Sequence, residues 1–217
     1  MEVLITSKTK FGKNHACVGG LVLNENRFIR LLNRGGARNP KGWYQFADTP
    51  LNIGDIWNIE FNNSPHATEP HVEDVFIKIN NKISEVDNLA DFIKGAGVEI
   101  VEGAISNLFE GKLSWFGKNQ IGYLPEDQAE MLNYSVGFWV SDQDLVLNGN
   151  RYFYRHKVMG LISVNKSLKW VGMVDPIAII PKGSLIRVSL AKWWPPKSEL
   201  KDYNVPHGCY LQLSGWY

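Results

Sequence analysis

The stretch VGGLVLNENRFIRLL, residues 18–32, is matched without gaps by VMGLISVNKSLKWVG, residues 158–172. Val18 falls on Val158, Gly20 on Gly160 and Leu21 on Leu161, and each stretch reads as strand, polar turn, strand. Downstream, NIGDIWNIEF (52–61) lies against PKGSLIRVSL (181–190), with Gly54 on Gly183 and apolar residues alternating behind it. The offset between the copies shortens from one pattern to the next, because the first copy carries a longer loop, RGGARNPKGWY (34–44). Each copy then passes a Pro-His pair, Pro70-His71 or Pro206-His207, before a last strand at Val75–Ile79 or Tyr210–Trp216. Internal repetition of this kind makes the chain two copies of one small β domain.

Strand signals dominate elsewhere too: VLITS, DVFIKI, SVGFWV, YFYRHKVMGLISV and CYLQLSGWY are short, rich in β-branched and aromatic residues, and punctuated by turn formers. Without the regular intervening helices of a parallel sheet, they predict a mainly β fold of two tandem small antiparallel barrels joined by a partly helical connector. The expected limits are 1–83 for the first barrel, 84–133 for the connector and 134–217 for the second barrel. In the connector, Ser84 is the expected N-cap of a helix carrying Val86, Leu89, Ala90, Phe92 and Ile93, broken by Gly95 and Gly97. A hairpin over 112–124 and a second helical stretch, Asp127–Leu132, follow.

No apolar run in the 217 residues is long enough to cross a membrane, and MEVLITSKTK lacks the apolar core of a secretory signal, so a cytoplasmic location is expected. Cys17 and Cys209 each sit in an apolar strand, which predicts two buried thiols rather than a disulfide. Net charge is +1 but unevenly spread: +3 over residues 1–60, −6 over 61–129 and +4 over 130–217. Basic barrels around an acidic connector suit a polyanionic ligand.

Cations and aromatics also coincide. Lys8, Lys10, Lys13, Arg30, Arg34, Arg38 and Lys41 surround the loop bearing Trp43 and Tyr44. The second copy repeats the mixture in RYFYRHK (151–157), where Arg151, Phe153, Arg155 and Lys157 share one strand face and Tyr152, Tyr154 and His156 the other. Lysine and arginine neutralise phosphates, and aromatic faces stack bases at about 1–3 kcal/mol each, so the combination suits single-stranded DNA or RNA. The competing reading puts Tyr152 and Tyr154 in the barrel core. Lys192-Trp-Trp-Pro-Pro-Lys197 is a further candidate surface, since consecutive tryptophans on a regular strand cannot both face one core. Lys192 and Trp194 complete the expected nucleic-acid set; in the alternative, Trp193, Trp194 or the acidic connector bind a protein partner and the chain is an adaptor.

The duplicated barrel, the GG or MG strand starts, the Pro-His pairs, RYFYRHKVMGL and the terminal LQLSGWY resemble the prokaryotic dual OB-fold domain family over nearly the full length. That resemblance implies two oligonucleotide-binding barrels, a nucleic-acid or partner-recognition role, and occurrence beside nucleic-acid-directed or phage-conflict systems; it brings no catalytic residues, and a non-enzymatic chain without a cofactor is expected.

Enzymatic patterns are weak. No phosphate loop, GxGxxG or GxSxG is present, and Gly19-Gly20 and Gly35-Gly36 are too short to cradle phosphate. His66, His71 and Asp74, with Glu69 and Glu73 nearby, are the one set of metal-type ligands, at a spacing that matches no standard site. Because the Pro-His pair recurs, His71 and His207 are expected to fix the approach to the last strand through a ring N–H bond to backbone.

Overall fold

The computed structural model describes the chain apart from residues 36–38, 40, 159–161, 197 and 200–203, and only the backbone of 157, 158 and 162. The first half supplies β1 (Glu2–Phe11), β2 (His15–Val22), β3 (Arg27–Leu32), β4 (Gln45–Phe46), β5 (Asp55–Asn63) and β6 (Asp74–Glu85). They pair in the order β1-β5-β6-β3-β2-β4, and β1 also pairs with β2, so five strands close into a barrel. All of its ladders are antiparallel except β3–β6, where Arg30, Leu31 and Leu32 oppose Asp74, Val75 and Phe76. The period-two alternation of the strands puts Val3, Ile5, Ala16, Val18, Ile29, Leu31, Ile59 and Val75 into the barrel core.

Between the halves lie α1 (Leu89–Gly95), β7 (Ile100–Gly103), a kinked 3-10 segment at Ile105–Gly111, β8 (Ser114–Phe116), β9 (Ile121–Pro125) and α2 (Glu126–Ala129). The expected N-cap is displaced: β6 runs on through Glu85, taking Ser84 into the sheet, and Asn88 caps the helix by accepting from Asp91 N–H at 3.0 Å. β8 and β9 form the expected hairpin. Leu89, Ile93 and Val98 pack with Leu4, Leu21 and Ile56 of the barrel and with Phe138 and Leu185 of the second half, so one apolar cluster fastens both halves together.

The second half comprises β10 (Val136–Ser141), β11 (Leu145–Asn148), β12 (Arg151–Val158), β13 (Ile162–Trp170), β14 (Ile179–Ile180), β15 (Leu185–Leu190) and β16 (Gly208–Trp216). Its run β10-β15-β16 followed by β13-β12 repeats the barrel order β1-β5-β6-β3-β2, again with a parallel contact between the third and last strands, Lys169 opposite Gln212. β9 wedges between β13 and β16 where they part. Among the described residues no ladder joins β10 to β12. Instead Gln143 reaches from the loop after β10 to Arg155, accepting from its N–H and donating to its C=O, both at 3.1 Å. The chain is thus mainly β, with a closed five-stranded barrel and a second, larger sheet.

The repeat is real in strand order but only partly in register. Gly54 and Gly183 do correspond: they precede β5 and β15, the equivalent strands of the shared five-strand order, at φ 93° and 84°, a left-handed conformation that favours glycine. The opening alignment does not hold. Residues 23–26 form the turn between β2 and β3, whereas residues 163–166, which the ungapped alignment places on that turn, lie inside β13, with Ser163 opposite Lys157 and Asn165 opposite Arg155. The polar run need not turn, because Lys166 is buried with its ammonium 4.1 Å from the Trp115 ring centroid. Gly160 and Leu161 lie outside the described residues.

Candidate nucleic-acid interface

Alternation along β2 and β3 decides what faces the second half. With Ala16, Val18, Ile29 and Leu31 turned into the barrel, Cys17, Gly19 and Arg30 face outward, Gly19 directly opposite Arg30. On β15 and β16 the residues Ile186, Val188, Leu190, Leu211 and Leu213 join the core of the second half, which leaves Arg187, Ser189, Gln212 and Ser214 turned towards the barrel. Backbone bonds fix the approach of the two: Lys10 N–H donates to Val171 C=O at 3.2 Å, and Met173 N–H to Lys8 C=O at 2.9 Å. The result is a cleft of about 250 Å³ walled by β1, β2 and β3 on one side and by β15, β16 and Lys192 on the other.

The cleft is charged. Asp74 accepts from Arg30 Nε on one carboxylate oxygen and from Lys192 Nζ at 2.9 Å on the other. Burial alone would raise the Asp74 carboxyl, but Arg30 and Lys192 outweigh it and hold the group below its ordinary value. Glu73 accepts from both the N–H and the hydroxyl of Ser135. Tyr44 stacks on Phe11 at 3.8 Å between ring centroids, and burial pushes its phenol up to about 12 despite the neighbouring Arg30. It is therefore a neutral hydroxyl donor at working pH. Lys10 and Lys169 stand exposed among the cleft-lining residues.

A second groove, of about 440 Å³, shares Lys169, Ala191 and Gln212 with the cleft and adds Phe116, Arg151, Trp194 and Tyr210. Its aromatic wall, Phe116 of β8 and Tyr210 of β16, is braced by Tyr123 of the β9 wedge: Phe116 meets Tyr123 edge-on at 6.5 Å, and Tyr123 lies 5.8 Å from Tyr210. Trp194 is 43% exposed and is placed by reciprocal backbone bonds with Gly208. Arg151 donates to the hydroxyl and carbonyl of Ser167, which fixes its guanidinium along the sheet.

Of the residues expected from sequence, the structure brings Lys10, Arg30, Tyr44, Lys192, Arg151 and Trp194 onto this continuous surface. Lys13, Arg34, Lys41 and Trp43 are exposed outside it, Trp43 being anchored to Asn33 by paired backbone bonds. Arg38 lies outside the described residues, and so does the side chain of Lys157. Arg155 faces a separate groove with Phe153 and Gln143. Tyr154 must be corrected: it is 3% exposed, packs in the core beside Trp139 and donates its hydroxyl to Asp142 at 2.9 Å, so its ring cannot stack a base. Tyr152 is buried with it. Trp193, the other half of the tryptophan pair, packs against the core and stacks on His207.

Sequence reasoning missed Arg187, Lys169, Phe11, Phe116 and Tyr210. Arg187 had a visible signal, a lone cation amid the apolar run LIRVSL. His207 Nδ1 donates to Pro195 C=O at 2.7 Å as expected, while His71 has the Ala191 backbone beside its ring and places its Nε2 3.5 Å from Sγ of Cys209. Burial, with Lys192 and Arg30 adding to it, holds His71 well below its ordinary pKa. His66 is exposed, Asp74 is committed to two cations, and among the described residues no three His, Cys, Asp or Glu side chains are grouped to hold a metal ion. Cys209 is buried, but Cys17 is only half-buried and lines the cleft; both are free thiols.

A small closed barrel whose third and last strands run parallel, with a cation-bearing β2–β3 face, is an oligonucleotide-binding type of barrel, in which that face is the usual ligand surface. The family model of the dual OB-containing domain matches residues 1–216, and the chain belongs to that family. Comparison with curated proteins and with solved structures finds no match. No helix among the described residues is long and apolar enough to cross a membrane.

Proposed function

We propose that the chain is a non-enzymatic module that binds single-stranded DNA or RNA, its two halves acting as paired OB domains. One observation carries this reading: a charged cleft built from both halves and an aromatic groove on the second half and connector share Lys169, Ala191 and Gln212 and so form one track. Lys10, Lys169 and Arg151 would neutralise phosphates while Trp194, Tyr210 and Phe116 offer faces to bases. In a prokaryotic nucleic-acid-directed or phage-conflict system such a module would be an accessory that holds strands rather than cutting them. Ultraviolet crosslinking of a bromodeoxyuridine-substituted oligonucleotide, followed by peptide mass mapping, tests the track. Crosslinks at Trp194, Tyr210 or Phe116 support it; crosslinks confined to Trp43 or Phe153 would move the interface elsewhere.

A second reading has its own observation. Trp193, Glu69, Glu126 and Glu130 line a groove of about 430 Å³ beside α2, an acidic surface with an aromatic floor. It suits a basic peptide and an adaptor role. Nuclease-resistant capture of a partner that is lost in Glu126→Lys with Glu130→Lys would favour it over strand binding.

A further inference from the structure

Arg187 is 4% exposed, yet it forms no ion pair among the described residues. Its Nη1 donates to Ser214 Oγ at 2.9 Å, and its Nε has no acceptor. The guanidinium crosses from the second half to the first and packs on the bare Cα of Gly19. A methyl group added there would sit 2.5 Å from Nη2 of Arg187 and 2.6 Å from Oγ of Ser7. Arg30 lies in the same cleft, and its Nη2 is a second buried guanidinium nitrogen without an acceptor. Burial depresses Arg187, Tyr217, Cys17 and Glu73 relieve it only in part, and Arg30 adds a smaller opposing charge.

This arrangement is costly for an unliganded scaffold. A buried lysine or histidine can shed its proton, but a guanidinium stays charged in a protein. A buried charge needs an opposite charge or a full set of hydrogen bonds. The carboxylates at hand are already engaged, Asp74 by Arg30 and Lys192, Glu73 by Ser135. Among the described residues five cationic side chains, Lys10, Arg30, Lys169, Arg187 and Lys192, line the cleft, against two carboxylates, Glu73 in its wall and Asp74 bound to Arg30 and Lys192.

We infer that the cleft is a phosphate site, in which the free N–H groups of Arg187 and Arg30 bind a phosphate monoester. Arginine forks match phosphate oxygens, and the hydroxyls of Ser7 and Tyr44 are neutral donors in the same wall. The space, about 250 Å³, exceeds what inorganic phosphate alone would fill, so the monoester brings an attached sugar and base. It comes either from the phosphorylated end of a strand or from a free mononucleotide. Gly19 then has a definite role: its missing side chain lets Arg187 reach across and close the far wall. The site does not require strand binding along the aromatic groove.

The test is calorimetric titration of the full chain with inorganic phosphate, adenosine 5′-monophosphate, and a dodecameric oligodeoxythymidylate with and without a 5′-phosphate. Expected is saturable binding of a monoester, with the 5′-phosphate tightening oligonucleotide affinity, or the mononucleotide competing with phosphate, by roughly tenfold or more, the scale of one charged hydrogen-bond set. Tightening of the oligonucleotide without mononucleotide binding assigns the strand end as the source; binding of the mononucleotide assigns the free nucleotide. Arg187→Met, checked for folding by circular dichroism, should lose this increment, and the exposed-rim variant Lys169→Glu should weaken it. The wild-type comparison stands even if Arg187→Met does not fold. Equal affinity for both oligonucleotides together with no binding of phosphate or mononucleotide overturns the inference, as does an Arg187→Met protein that retains the increment. Binding of the unphosphorylated strand would then still support the strand-binding function, while monoester binding without any strand binding would remove that function and leave this site.

Discussion

Lys192 places its ammonium 2.9 Å from Oδ2 of Asp74, a residue 118 positions earlier, and thereby ties the segment after β15 to the start of β6. Arg30 takes the other oxygen of the same carboxylate, so removing Asp74 leaves two cations facing each other. Asp74→Asn should cost about 3 kcal/mol in urea unfolding, at the low end for a broken buried pair because Lys192 is partly solvated. Because the folded carboxyl lies below its unfolded pKa of about 4, its contribution is complete above that value and is lost as pH falls through the lower folded one. The stability gap between wild type and Asp74→Asn should therefore be flat from pH 5 to 8 and narrow in acid. A gap that widened in acid would contradict the pairing.

Trp194 and Tyr154 should separate binding from stability. Trp194→Ala is expected to weaken single-strand binding by about 1–3 kcal/mol with little change in melting temperature, because the ring is 43% exposed. Tyr154→Phe should leave binding unchanged and lower stability by about 1 kcal/mol through loss of the hydroxyl bond to Asp142. Paired fluorescence anisotropy and thermal melts on both variants check this, and the opposite assignment would place Tyr154 at the ligand.

Phe138 is fully buried where the two halves meet, 5.5 Å from Phe28 of the barrel and 6.4 Å from Tyr217. Phe138→Ala should cost about 3–5 kcal/mol. Since the apolar cluster spans both halves and the connector helix, wild-type calorimetry should show one transition rather than two. Two resolved transitions in the wild type would mean that the halves fold independently.

The Gln143 side chain stands in for a missing ladder between β10 and β12 through its two bonds to Arg155. Gln143→Ala should speed hydrogen exchange at the Arg155 amide by about tenfold and leave the barrel amides of β1 and β2 unaffected. Uniform protection of Arg155 would show that another group holds that edge.

The strands themselves and the duplicated Gly54 and Gly183 were legible because each rests on local chemistry, apolar alternation and a left-handed turn. Register was not: the polar run Asn165-Lys166 reads as a turn, but pairing with Arg155 and Tyr154 of β12 and the Trp115 ring over Lys166 hold it in a strand. Tyr152 and Tyr154 alternate with Arg151 and Phe153 as the pattern required, yet alternation cannot say which face is the core. The cleft was half visible. Arg30, Lys10, Tyr44 and Lys192 could be picked as cations and aromatics in one composition, but what gathers them is the contact of β2 with β15, a pairing of outward faces that leaves no periodic trace. Arg187 stood in view between Ile186 and Val188, where a charge in an apolar strand asks for a partner, and its partners proved to be Gly19 and Ser214.

The most direct test of strand binding along the shared surface is the anisotropy of a labelled, unphosphorylated twelve-nucleotide strand at 50 and 200 mM salt. With Lys10, Arg151 and Lys169 each neutralising a phosphate, the slope of log K against log salt should be near −2, a loss of roughly twentyfold across that interval, and Lys169→Glu should flatten it. Affinity that is indifferent to salt, or a Lys169→Glu protein that binds as the wild type does, would contradict the account.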